Sequence, residues 1–222
     1  MGVVVLVRHG QASFGAEDYD VLSGTGLEQS RVVGRTLAAH GSSPSAVVHG
    51  ALRRQRDTAL AMAEAGGWSG SVGAEVDEGW DEFDHLGVVA RGPGGGGDVS
   101  DVRAFQRVFE DATARWYAGE HDGDYDESWP SFVDRVRGAL DRAFARDGVT
   151  VVVTSGGPIA LVCATLVAPE ATSHRDLAAY WTRFNTVAVN GAVTRVLEGS
   201  TGRRLLSFNE HSHLPRDLVT YR

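Results

Sequence analysis

The chain has one cysteine, Cys163, which excludes an intrachain disulfide. Its neighbours, Ile159-Ala160-Leu161-Val162 before it and Ala164 after it, predict a buried structural thiol. A disulfide-free chain fits a reducing cytoplasm, the expected location. Long apolar runs are also missing. The longest, Pro158 to Pro169, falls short of the roughly 20 residues that cross a bilayer. The N-terminal apolar stretch has no basic region before it and meets Arg8 too soon for a secretory signal, so none is expected. Positive charge is in deficit: 21 Lys plus Arg stand against 29 Asp plus Glu, a formal net charge of -8. That argues against a general nucleic-acid or anionic-membrane surface and leaves open a small basic pocket for an anionic substrate. The run Gly92-Pro93-Gly94-Gly95-Gly96-Gly97 reads as a flexible loop. No Gly-Lys-Ser/Thr follows it, so it is not a phosphate-binding P-loop. No internal repeat or low-complexity domain is present.

What is there is ordinary for a globular protein: 42% hydrophobic and 23% charged residues. The 222 residues are within reach of one large α/β domain with a substantial core. Val3 to Val7 is a β-branched run and predicts a buried strand. A polar loop, Gln11 to Gly24, follows. Thr25 and Glu28 read as a capping box opening a helix that Gly41 stops. Ser45 to His49 predicts a short strand, Leu52 to Ala65 a helix ended by Gly66-Gly67, and residues 72–77 a third strand. Residues 84–127 break the alternation, with a helix over Val102 to Tyr117, and read as an insertion or cap over the sheet edge. Ser131 and Asp134 read as a second capping box, with Phe132, Val133, Val136, Leu140 and Phe144 at helical spacing. Val149 to Thr154 predicts a strand, 158–167 and 173–182 helices, and 186–196 and 203–208 strands. This alternation favours a single α/β sheet.

Arg8-His9-Gly10 closes the first strand. In open α/β sheets ligands bind at the C-terminal ends of strands, so the triplet joins a cation and a possible nucleophile at a binding edge. Taken alone, a histidine after a strand is more often a solvated or satisfied side chain than a catalyst. Leu52-Arg53-Arg54-Gln55-Arg56-Asp57-Thr58-Ala59 opens a helix just after a strand. Helix N-termini favour anions, but side chains about 100° apart cannot all face one point. One arginine would serve a site and the others would be solvated.

Together these motifs resemble the histidine phosphatase superfamily, also called the phosphoglycerate mutase-like family. Arg8-His9-Gly10 and Leu52-x-Arg54-x-x-x-Thr58-Ala59 carry the resemblance, with Trp80-Asp81-Glu82-Phe83 similar to its acidic motif. Val151-Val152-Val153-Thr154-Ser155-Gly156-Gly157 looks like its second core motif, and Asn209-Glu210-His211-Ser212-His213-Leu214 like a common ending. The resemblance covers nearly the whole chain. It implies a three-layer α/β sandwich, with a mostly parallel sheet between helices on both faces, spanning 1–222. It also implies a phosphatase acting on a small phosphorylated metabolite, without cofactor or metal. His9 would carry the phosphoryl group as a phosphohistidine. Arg8 and Arg54 would clamp its oxygens through charge-assisted hydrogen bonds. Glu82 would act as acid and then base, with Glu78 as the alternative. Gln11, Ser13, Ser155 and Gly156 would contact phosphate or leaving group.

One position departs from the family. Where a second histidine normally donates a hydrogen bond to the transferring group, this chain has Ser155. Serine is shorter and carries no charge. Three outcomes are open: weakened catalysis, a replacement donor such as His211 or His213, or a non-catalytic phosphoester-binding or regulatory protein. A phosphoglycerate mutase is a further alternative without a motif of its own here. A serine hydrolase using Ser155 lacks the glycine two residues before it, where Val153 stands. Substrate specificity is expected in residues 84–127 and the C-terminal tail.

Overall fold

The computed structural model describes residues 2–13, 20–93, 102–169 and 173–221, with backbone alone for 102–106. Gly94 to Gly97 of the glycine run, and residues 14–19 of the polar loop, lie outside it. Strands and helices alternate: β1 (Gly2–Arg8), α1 (Gly24–Ala39), β2 (Ala46–His49), α2 (Arg53–Ala65), β3 (Ala74–Val76), α3 (His85–Arg91), α4 (Val102–Ala118), α5 (Trp129–Phe144), β4 (Val149–Thr154), α6 (Gly156–Val167), α7 (His174–Asn185), β5 (Val193–Gly199) and β6 (Gly202–Glu210). The strands form one six-stranded sheet in the order β3-β2-β4-β1-β5-β6. β3, β2, β4 and β1 run parallel, and β5 and β6 add antiparallel. β1 and β4 are flush, Arg8 opposite Thr154.

The period of two along each strand splits the core into two layers. Val4 and Leu6 of β1, Val48 of β2 and Val152 of β4 face α5, α6 and α7. Val5, Val7, Val47, Val151 and Val153 face α1 and α2, against Val33, Leu37, Ala59 and Met62. Helices thus cover both faces of a mostly parallel sheet. The first layer holds an aromatic cluster in which Phe83 stacks on Trp116 at 4.9 Å and meets Trp181 edge-on at 5.5 Å. α3 packs on α4, and α4 on α5 and α7.

Several boundaries differ from the sequence reading, for local reasons. α1 is capped by Ser23, whose hydroxyl accepts from Gly26 N, and not by Thr25. α5 is capped by Ser128, which accepts from Ser131 N, so it begins before Ser131, with Pro130 in its first turn, where a missing N–H costs nothing. α6 starts at Gly156, and β5 only at Val193. Residues before Val193 turn around Gly191, whose φ of 72° favours glycine. Gly67 and Gly41, at φ 76° each, end α2 and α1 as predicted. Cys163 is fully buried, and burial pushes its thiol pKa up to about 12.

Candidate functional site

The C-terminal ends of β1 and β4 lie side by side, and His9 N–H donates to Thr154 O at 2.8 Å. Strand alternation places the His9 side chain on the α2 face and Arg8 toward α6 and α7. His9 is 5% exposed. Its Nδ1 meets Gly10 O at 2.7 Å, a carbonyl that can only accept, so the Nδ1 proton is fixed there. The lone pair is left on Nε2, which accepts from Arg54 Nε at 3.2 Å. Burial, then Arg54 and then Arg8, hold the His9 pKa well below its ordinary value, outweighing the Gly10 carbonyl. The imidazole is therefore neutral near pH 7, with its free electron pair facing a guanidinium.

Local backbone contacts lock this loop. A Cβ on Gly10 would collide with Gly26 O, and one on Gly26 with Gln11 O. Gly10 N–H donates to Thr58 Oγ1 at 3.0 Å, tying the loop to α2. Arg54 is the inward-facing arginine of its run, with 7% exposed, while Arg53 and Arg56 lie on the surface. Leu52 at the α2 N-cap has no side-chain acceptor. Asp20 supplies one from the preceding loop: Oδ2 accepts from Arg53 N at 2.7 Å and Oδ1 from Arg54 Nη1 at 2.6 Å. The sequence reading did not single out Asp20.

Arg8 Nη1 donates to Ala188 O at 2.5 Å and to Tyr221 O at 3.2 Å, so the C-terminal segment closes over the β1 end. Gln29 extends that closure, accepting from Gln11 N at 2.8 Å and donating to Leu218 O at 2.7 Å. Gln11 Oε1 accepts from Ser23 Oγ at 2.9 Å, and Ser13 N–H donates to Val21 O at 2.7 Å. Both residues thus stand in the loop leading from His9.

The acidic segment separates by position. Asp77 pairs with Arg142, Asp81 accepts from Ala51 N, Asp84 caps α3, and Glu78 is exposed. Glu82 turns to the start of α6, where Oε2 accepts from Gly157 N at 3.1 Å. A Cβ on Gly157 would strike Glu82 Oε1, so glycine is required for the approach. Phe83, next to Glu82, anchors this turn in the aromatic cluster, and Trp181 Nε1 donates to Gly157 O at 2.9 Å.

Ser155 is fully buried between these groups, at the α6 N-cap. Its hydroxyl makes no cap hydrogen bond and instead accepts from Gln55 Nε2 at 2.8 Å. Gly156 follows, and a Cβ there would sit 3.7 Å from Arg8 Nε. The structure thus brings Arg8, His9, Arg54, Glu82, Ser155 and Gly156 to one strand edge. It leaves His211 and His213 elsewhere: with His40, the C-cap of α1, and Arg195 of β5 they line an open cleft of about 880 Å³. His213 Nε2 meets Gly191 O at 3.0 Å. Among the described residues no cluster of three or more His, Cys, Asp or Glu is arranged to hold a metal. Nor is any described helix long and apolar enough to cross a membrane.

An α/β sheet with an arginine and a histidine at the end of its first strand, and a second arginine in the first turn of α2, fits the phosphoglycerate mutase-like class, and solved structures of that class superpose on this one. Phosphoserine phosphatase from Entamoeba histolytica, an H9A mutant in complex with phosphoserine, matches with TM-score 0.65 at 18% identity, covering 97% of this chain and 100% of that one. Mycobacterial glucosyl-3-phosphoglycerate phosphatase matches with TM-score 0.63 at 21% identity, covering 95% and 99%. Phosphoglycerate mutase from Bacillus anthracis matches with TM-score 0.65 at 15% identity, covering 95% and 94%. A search of curated proteins found no match. The family model of the histidine phosphatase superfamily (branch 1) matches residues 4–201, and the chain belongs to that superfamily.

Proposed function

We propose that this protein hydrolyses a small phosphomonoester through a phosphohistidine on His9. The observation that carries the proposal is the His9 imidazole: neutral, oriented by Gly10 O, and offering Nε2 beside Arg54. Nε2 attacks phosphorus and the ester P–O bond breaks. Glu82, in its acid form, gives its proton to the leaving alkoxide. Glu82 then takes a proton from water, which attacks the phosphohistidine, breaks the P–N bond and releases inorganic phosphate. Arg8 and Arg54 supply the positive charge that phosphoryl transfer requires. The phosphoserine and 3-phosphoglyceric acid held in complex by similar proteins support a small phosphorylated metabolite as substrate.

A second reading is favoured by one residue. Ser155, in the place of the family's second histidine, fits a weakened or non-catalytic phosphoester-binding member. Turnover of a generic aryl phosphate decides between them. The phosphatase reading expects metal-independent turnover in wild type and a loss of about 10³-fold or more in His9→Ala. Absence of turnover in wild type, with phosphate still bound, supports the binding protein instead.

A further inference from the structure

Gln55 occupies a fully buried position on α2, beside Arg54. Its Nε2 lies 2.8 Å from Ser155 Oγ and 3.2 Å from Trp80 O. Trp80 O is a carbonyl and can only accept, which fixes the amide with its nitrogen toward both atoms. Both Nε2 protons are then committed, one to Trp80 O and one to Ser155 Oγ. A serine at a helix N-cap ordinarily accepts from its own helix. Here Glu82 accepts from Gly157 N, and the Ser155 side chain makes no cap bond. Ser155 Oγ thus receives a hydrogen bond from Gln55, and its own proton is the one it has to give. Gly50 leaves room for the amide oxygen, since a Cβ there would collide with Gln55 Oε1.

We propose that Gln55 is a positioning residue that holds the Ser155 hydroxyl as a donor to a phosphoryl group at His9. The pair takes the place of a longer donor at the head of α6. The proposal rests on the phosphate-site reading of His9, Arg8 and Arg54.

The test compares wild type, Gln55→Glu, Ser155→Ala and their double variant, in orthovanadate binding by calorimetry and in aryl phosphate turnover. Gln55→Glu keeps the shape but reverses the bond, because the introduced carboxylate accepts the Ser155 proton. Each single variant is expected to lose about tenfold in vanadate affinity and in kcat, the size of one neutral hydrogen bond. The double variant loses no more than Ser155→Ala alone. The Gln55→Glu deficit shrinks as pH falls and the carboxylate takes up a proton, whereas that of Ser155→Ala stays constant. Gln55→Met, similar in length but without donors, gives the same loss should Gln55→Glu fail to fold. Wild-type vanadate affinity in folded Gln55→Glu or Gln55→Met overturns the proposal, as do single-variant losses that multiply in the double. Wild type that binds no vanadate overturns the phosphate-site reading, and this inference with it.

Discussion

Arg54 Nε donates to His9 Nε2 at 3.2 Å, so the proposed attacking atom is masked by the proposed clamp until a ligand arrives. A phosphoryl group entering between them offers oxygen acceptors to the guanidinium and frees the lone pair. The same contact disfavours the imidazolium, because a second positive charge beside Arg54 would be repelled in a desolvated site.

Burial of the ring, and after it that repulsion, make stability depend on pH. The folded pKa of His9 lies below its ordinary value of 6.5. The contribution of the neutral ring is complete above that ordinary value. It is lost as pH falls through it toward the folded pKa, because the unfolded chain takes up the proton first. Burial lowers the His213 pKa as well, which adds in the same direction. His9→Asn is expected to flatten, without abolishing, the fall in urea midpoint between pH 7.5 and 5.5. An unchanged slope would contradict a neutral, buried His9.

Gly157→Ala is expected to dislodge Glu82, since the added methyl takes the position of Oε1. Aryl phosphate kcat should fall by about 10²-fold or more, the scale of losing an acid–base group. Glu82→Gln should fall similarly, and the pair combined no further. Intact kcat in Gly157→Ala would place the acid elsewhere.

Restoring a histidine at position 155 requires space. Ser155 is fully buried with Gln55 Nε2 at 2.8 Å, so Ser155→His alone overpacks the α6 N-terminus. It should destabilise by about 1–3 kcal/mol. Adding Gln55→Ala should recover most of that loss in thermal unfolding and raise turnover above Ser155→His alone. No recovery would show that other neighbours limit the site.

The Cys163 thiol, with its pKa pushed up to about 12 by burial, should be inert in the folded protein. A maleimide probe at pH 7.5 is expected to label native protein on the order of 10³-fold slower than urea-unfolded protein, reacting through opening. Rapid labelling of the native state would contradict its packing in α6.

Much of the architecture was legible in local patterns. The β-branched runs at β1 and β4 and the apolar spacing of α5 report burial directly, and strand alternation with helices gives the layers. Helix starts were less legible, because Thr25 and Ser131 are as good cap residues as Ser23 and Ser128 in sequence. Only backbone geometry decides between them. Arg8, His9, Arg54, Glu82 and Ser155 were identified by motif, and the structure brings them together. Gln55 was passed over inside a charged run. Its signal was periodicity: it shares a buried stripe with Thr58, Ala59 and Met62, and a glutamine in such a stripe needs a hydrogen-bonding partner. Asp20 had no comparable signal, because its role as the cap of α2 depends on a loop returning across the fold.

The most direct measurement is capture of the phosphoenzyme. Protein mixed with an aryl phosphate, quenched in alkaline denaturant and digested, should yield one peptide carrying an added phosphoryl group on His9. That group should survive base and be lost in acid, as a phosphoramidate is, and it should be absent in His9→Ala. Steady turnover with no phosphohistidine, or a phosphoryl group on Ser155, would contradict the account.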